Sequence, residues 1–220
     1  MTAPLLHPDR AQIADLHPTQ ITVGLHEVAQ KRLRWRSGIR KSGAQPAPRL
    51  IAPVVYGPGG ALYLVDRHHL LRALAAEGIQ RVLIRTIGDF TALPADKFWP
   101  ALDVRGWCRS FDAEGCRRPF SEMLAPIDGL VDDPFRSLVS VLRRAGGFSK
   151  KSTPFSEFAW ADFLRRSISC NAVNKDFEGA LRRGLALAGS LAARDLPGWR
   201  PKPALSVCAV AVLGPPNAGC

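Results

Sequence analysis

The segment from Leu50 to Ile87 constrains the fold more than any other part of the chain. Leu50–Tyr56 and Ala61–Val65 are apolar runs split by Gly57-Pro58-Gly59-Gly60, a composition that turns a chain back on itself. Asp66 follows where a helix N-cap belongs, since its carboxylate can accept a backbone N–H bond. His69–Glu77 then carries Leu70, Leu71, Leu74 and Ala75 at helical spacing, and Gly78 supplies a C-terminal glycine. Arg81–Ile87 reads as a third strand. A hairpin, a helix and a strand in so short a span make a compact α/β unit.

Upstream, Ile13–Leu16 reads as a short strand or approach segment closed by His17-Pro18, because proline pushes the preceding residue out of helical geometry. Thr19 or Thr22 is expected to cap a helix running through Glu27, Val28 and Lys31, followed by a cationic stretch from Arg32 to Lys41. Ser42–Pro48 reads as a loop. Downstream, helices are expected over Phe135–Ala145, Pro154–Arg166 and Phe177–Ala193. The expected class is α+β: an N-terminal α/β domain over 1–95, a mainly helical region packed on it over 96–200, and an irregular tail over 201–220.

Composition narrows the functional classes. The net charge is +11, from 30 Lys and Arg against 19 Asp and Glu, with the excess shared between both halves of the sequence. Most of the basic residues are arginine, which suits bidentate phosphate or carboxylate contacts. Polyanion affinity is compatible with this, and so is a solvated arginine-rich surface. The five cysteines form no close CxxC pair and have no histidine beside them, so neither a zinc site nor a disulfide scaffold is expected. No metal ligand set is assigned. The N-terminus lacks an apolar signal core, and Ala204–Gly214 is too short to span a bilayer. A cytoplasmic protein without a membrane partner is the expectation.

The chemistry concentrates at Asp66-Arg67-His68-His69, on the strand-to-helix junction. Unpaired N–H groups at a helix N-terminus point along a positive dipole and favour an anion. Two histidines and an arginine add donors suited to phosphate oxygens, and Arg72, three residues beyond His69, extends that face. A capped helix with structural histidines is the competing reading.

The run Tyr63–Leu74 resembles the signature strand and helix of the ParB/sulfiredoxin superfamily, whose members bind nucleotide phosphates at this junction. It is similar to the DGHHR segment of the free serine kinases that share the fold. Here Arg67 stands at the glycine of that pattern and Leu70 at its final arginine. Leu16-His17-Pro18-Thr19-Gln20 resembles the proline-containing first box of the same families. Those kinases carry a glutamate general base just after the proline. Gln20 occupies that position and cannot accept a proton, and Glu27 is the nearest substitute.

The longer order of motifs resembles a bacterial group of ParB-like nucleases. It runs through Asp132-Asp133-Pro134-Phe135-Arg136, Gly146-Gly147-Phe148 and Phe155-Ser156-Glu157-Phe158. The resemblance implies a site in which Asp66, Arg67, His68, His69, Arg72 and Gln20 hold a nucleotide (ATP, ADP or CTP) with Mg²⁺, or another phosphorylated small molecule. Glu27, His68 and His69 are its catalytic candidates, for phosphoryl transfer or NTP hydrolysis. The alternatives are a DNA-binding protein or metal-dependent nuclease, and a non-catalytic nucleotide-responsive protein. Asp132, Asp133, Arg136 and Glu157 form a secondary polar set, for which helix capping and a salt bridge are the competing explanation. No clear recognition helix is visible, and the sequence leaves the oligomeric state open.

Overall fold

The computed structural model describes residues 9–42, 51–149 and 156–201, with the side chains of 39–42 excepted. The chain divides into two compact units, one ending at Asp133 and the other beginning at Pro134.

The first unit is built on a five-stranded mixed sheet. Its strands are β1 (Asp9–Gln12), β2 (Leu16–Pro18), β4 (Ile51–Tyr56), β5 (Leu62–Leu64) and β6 (Arg81–Asp89). They lie in the order β1-β6-β4-β5-β2. The β4–β5 hairpin is antiparallel, while β4 with β6 and β5 with β2 run parallel. The turn between β4 and β5 is a 3-10 turn at Pro58–Gly60. Gly57 precedes it because a Cβ there would meet the Tyr63 and Phe98 rings. A separate parallel pair joins β3 (Thr22–Val23) to β7 (Val131–Asp132).

Two helices complete the front of the unit. α1 spans Leu25–Ser42 and α2 spans His68–Ala76. The sheet core comprises Leu16, Val54, Leu64, Leu71, Leu74, Val82 and Ile84, with Trp35 of α1 packed against it. A third helix, α3 (Ala95–Val104), buries Phe98 and Leu102 against Val55, Cys108 and Met123. This packing is why the division falls at Asp133 and not near residue 95: the aromatic segment after Asp89 shares a core with the sheet.

The second unit is helical, with α4 (Pro134–Arg144), α5 (Ser156–Arg165), α6 (Cys170–Lys175) and α7 (Phe177–Gly189). It has its own core around Phe135, Leu138, Leu142, Trp160, Leu164 and Leu185. The α/β-then-helical order expected from the sequence is present.

Several details differ. Ile13–Asp15 is a 3-10 turn, and the strand lies through His17-Pro18. The cationic stretch belongs to α1 and does not follow it. α6 was not expected. Most of the expected Ser42–Pro48 loop, the start of the Pro154–Arg166 helix and the tail beyond residue 201 lie outside the described residues. No helix among the described residues is long and apolar enough to cross a membrane.

Candidate functional site

The site is a corner where the first box meets the β5–α2 junction. β5 ends at Leu64, and the chain enters α2 through Asp66 and Arg67. Arg67 is the N-cap residue, with φ 78° and ψ 15°, and its side chain makes no capping bond. It is the one non-glycine with positive φ among the described residues. Asp66 is therefore not the N-cap. Its Oδ1 accepts the Arg67 N–H at 2.7 Å, one residue short of the helix. A left-handed residue followed by a helical one turns successive N–H groups toward one concavity, a geometry that suits anions. Both the Asp66 and the Arg67 side chains are exposed, with Arg67 Nε 4.0 Å from Asp66 Oδ2.

The two histidines that follow are fasteners. The Nε2 of buried His68 accepts the Thr19 N–H at 3.2 Å. Thr19 also donates through its hydroxyl to the Leu64 carbonyl at 2.8 Å, so the box is stitched to the end of β5. The Nε2 of His69 accepts the Gly24 N–H at 2.9 Å. Gly24 immediately precedes α1, and its carbonyl accepts the Val28 N–H at 3.0 Å. His68 and His69 thus join α2 to the first box and to α1, at the ring nitrogens that a phosphate would otherwise approach.

The remaining expected site residues divide. Buried Gln20 donates through Nε2 to the Thr22 carbonyl at 2.7 Å, within its own loop. Buried Glu27 places Oε1 3.1 Å from Lys31 Nζ and Oε2 3.5 Å from His69 Nε2. Arg72 turns away and donates to the Leu130 carbonyl. Burial pulls the Arg72 guanidinium below its ordinary value, while Asp128 and Asp132 pull it back up. Arg72 is therefore a tie to the segment before β7. Neither Thr19 nor Thr22 caps α1. Asp132 does so from β7, its Oδ1 accepting the Leu25 N–H at 2.7 Å.

Residues 10–166 match the family described as "Putative ParB-like nuclease". The chain belongs to this ParB-like family. A crystal structure of protein Atu1540 from Agrobacterium tumefaciens is similar, at 44% identity and a TM-score of 0.82, over 89% of this chain and 98% of that one. No curated protein matches the chain significantly.

In this ParB-like chain the members of the secondary polar set are divided between the two units. Asp132 is spent on α1, and the buried Asp133 donates its backbone N–H to the Val23 carbonyl, both in the first unit. In the second unit, Arg136 lies over the Phe158 ring at 3.6 Å, and Glu157 pairs with Arg143 at 3.0 Å. Among the described residues, no group of three or more His, Cys, Asp or Glu side chains is placed to hold a metal ion. Charge is also less evenly shared than the two halves of the sequence suggest. The unit from Pro134 onward holds 13 Lys and Arg against 5 Asp and Glu, a net +8. The first unit holds 17 against 14, a net +3.

Sequence reasoning missed the ties of Thr19 and Gly24 to the two histidines, and that the helix whose start Asp132 holds is α1. The glycine of the resembled DGHHR segment was the available signal that position 67 is left-handed.

Proposed function

We propose that this ParB-like protein binds a phosphate-bearing ligand, a nucleotide in the first instance, at the N-terminal turn of α2. One observation carries the reading: α2 is entered through a left-handed, exposed Arg67 whose side chain does not cap the helix. Non-glycine residues in this conformation cost energy and persist where the surrounding structure demands them, often at ligand sites. The Arg67 guanidinium can fold over an anion seated on the turn, and the helix dipole favours that charge.

The resemblance implies Mg²⁺ with the nucleotide, and the residues present fit that pairing. Mg²⁺ bound through phosphates needs only one or two protein carboxylates, and exposed Asp66 stands beside the turn. The ion would neutralise phosphate charge. The chain's own part is to orient the phosphates by the α2 turn and Arg67. A transfer step lacks an evident base, since Gln20 cannot serve and Glu27 is engaged by Lys31 and His69. The reading therefore ends at binding.

Calorimetric titration with ATP, ADP and CTP in Mg²⁺ tests it. Arg67→Glu, an exposed substitution, should weaken binding by at least about tenfold, the scale of one charge-assisted contact. Equal affinity in wild type and Arg67→Glu would sink the reading. His68→Ala and His69→Ala are poorer probes, because both remove ties between elements.

A second reading, nucleic-acid binding, is favoured by the charge of the helical unit. Its Arg166, Lys175, Arg182, Arg183 and Arg200 are exposed and form no ion pair among the described residues. Phosphate contacts would make affinity fall steeply with salt. Arg182→Glu with Arg183→Glu should weaken binding to a duplex oligonucleotide and reduce its salt slope by about 2. An unchanged slope would remove this reading.

A further inference from the structure

The His69 ring nitrogen that holds α1 has two partners with opposite requirements. Its Nε2 lies 2.9 Å from the Gly24 nitrogen, a donor, and 3.5 Å from Glu27 Oε2, an acceptor. A neutral imidazole with its proton on Nδ1 can accept from Gly24. It then presents a lone pair, and no proton, toward the carboxylate. A protonated ring donates from Nε2 and can pair with Glu27, but can no longer accept from Gly24.

We infer that His69 is a proton-operated clasp, holding the Gly24 amide when neutral and the Glu27 carboxylate when protonated. The exchange needs no large movement, because both partners already lie at the same nitrogen. It occurs largely out of solvent, where His69 and Glu27 side chains are 12% and 10% exposed. Removing the acceptor of a buried amide there carries the cost of an unmade bond.

Titratable and charged groups stand on each element packed here. α1 contributes Lys31, which already holds the other Glu27 oxygen, and His26. α2 contributes Arg67, His68 and Arg72, and β7 contributes Asp132 with Asp128 before it. Asp132 keeps the Leu25 N–H in either state, so α1 stays anchored while the Gly24 end of it is released. The sign follows: the Gly24 contact is present at high pH and lost as pH falls through the His69 titration.

Amide hydrogen exchange on the intact protein, read by NMR between pH 8 and pH 5, tests the clasp. The Gly24 protection factor should fall about tenfold as the His69 ring titrates, the scale of one buried hydrogen bond. In His69→Gln the side-chain carbonyl can still accept from Gly24, so protection should persist across the range. Glu27→Gln removes the charge that receives the proton and should move the fall to lower pH. His68→Gln should leave the response in place. A Gly24 protection factor that stays flat in wild type, or that falls identically in His69→Gln, overturns the clasp. These readouts need no ligand, so they stand apart from the phosphate reading.

Discussion

Arg67 is the one non-glycine residue in left-handed backbone among the described residues, a conformation that places Cβ close to the next carbonyl oxygen. Arg67→Gly should therefore raise stability by about 1 kcal/mol in urea unfolding while weakening any anion held at α2. The two effects have opposite signs, which separates backbone relief from loss of the guanidinium. A second residue-scale expectation concerns the thiols. Burial pushes the Cys108 thiol up to about 12, with Asp103 adding to the rise and Arg117 opposing it. Its thiolate is scarce at pH 8, and thiolate is the reactive form. Iodoacetamide at that pH should label exposed Cys116 and Cys170 and spare Cys108, as read by peptide mass spectrometry. Labelled Cys108 in folded protein would contradict the burial.

Between elements, a few side chains do most of the fastening. Glu77, just past α2, receives Arg32 at 2.6 Å and Arg36 at 2.7 Å from α1. Its carboxyl is held below the ordinary range, first by the Arg36 hydrogen bond and then by Arg32, against some desolvation. A depressed carboxyl stabilises the fold above its unfolded value and loses that contribution as pH falls through the folded one. Glu77→Gln should lower the melting temperature at pH 7 and converge with wild type in acid. Asp176 caps α7 by accepting the Gly179 N–H at 2.8 Å, and Asp176→Ala should cost about 1 kcal/mol in denaturant unfolding. The readable elements were those with local signals: the glycine-rich turn, the Leu70–Leu74 stripe and Gly78 mark β4, β5 and α2. Asp132 was unreadable as the α1 cap because it lies far away in sequence. α6 has six residues, too few to display a helical period. The Asp66-Arg67-His68-His69 cluster was found by residue type, but which ring nitrogens are already engaged depends on Thr19 and Gly24, which carry no chemical signature.

The whole chain holds two separately cored units with unequal charge. The helical core centres on Trp160, which is fully buried, stacks on Phe148 at 4.4 Å and donates to the Pro197 carbonyl at 2.9 Å. Trp160→Ala should cost about 3–5 kcal/mol, with the greatest loss of exchange protection in α4, α5 and α7. The unit boundary also reorganises the charge: a value of +11 read from the chain as a whole conceals a mildly basic sheet unit and a strongly basic helical one. Family membership and fold are visible from ordered motifs spread over residues 10–166. The distribution of charge by unit required knowing where the chain divides.

The Asp132 contact has a consequence in time. Leu25 and Asp132 are 107 residues apart, so the first turn of α1 stays without this cap until nearly the whole sheet unit has been synthesised. At ordinary elongation rates that interval is about 5–20 s. During it, the basic helix emerging from the ribosome lacks one of the bonds that fix its start. The last strand of the unit supplies that bond, so synthesis of β7 both completes the small parallel pair and secures the beginning of α1.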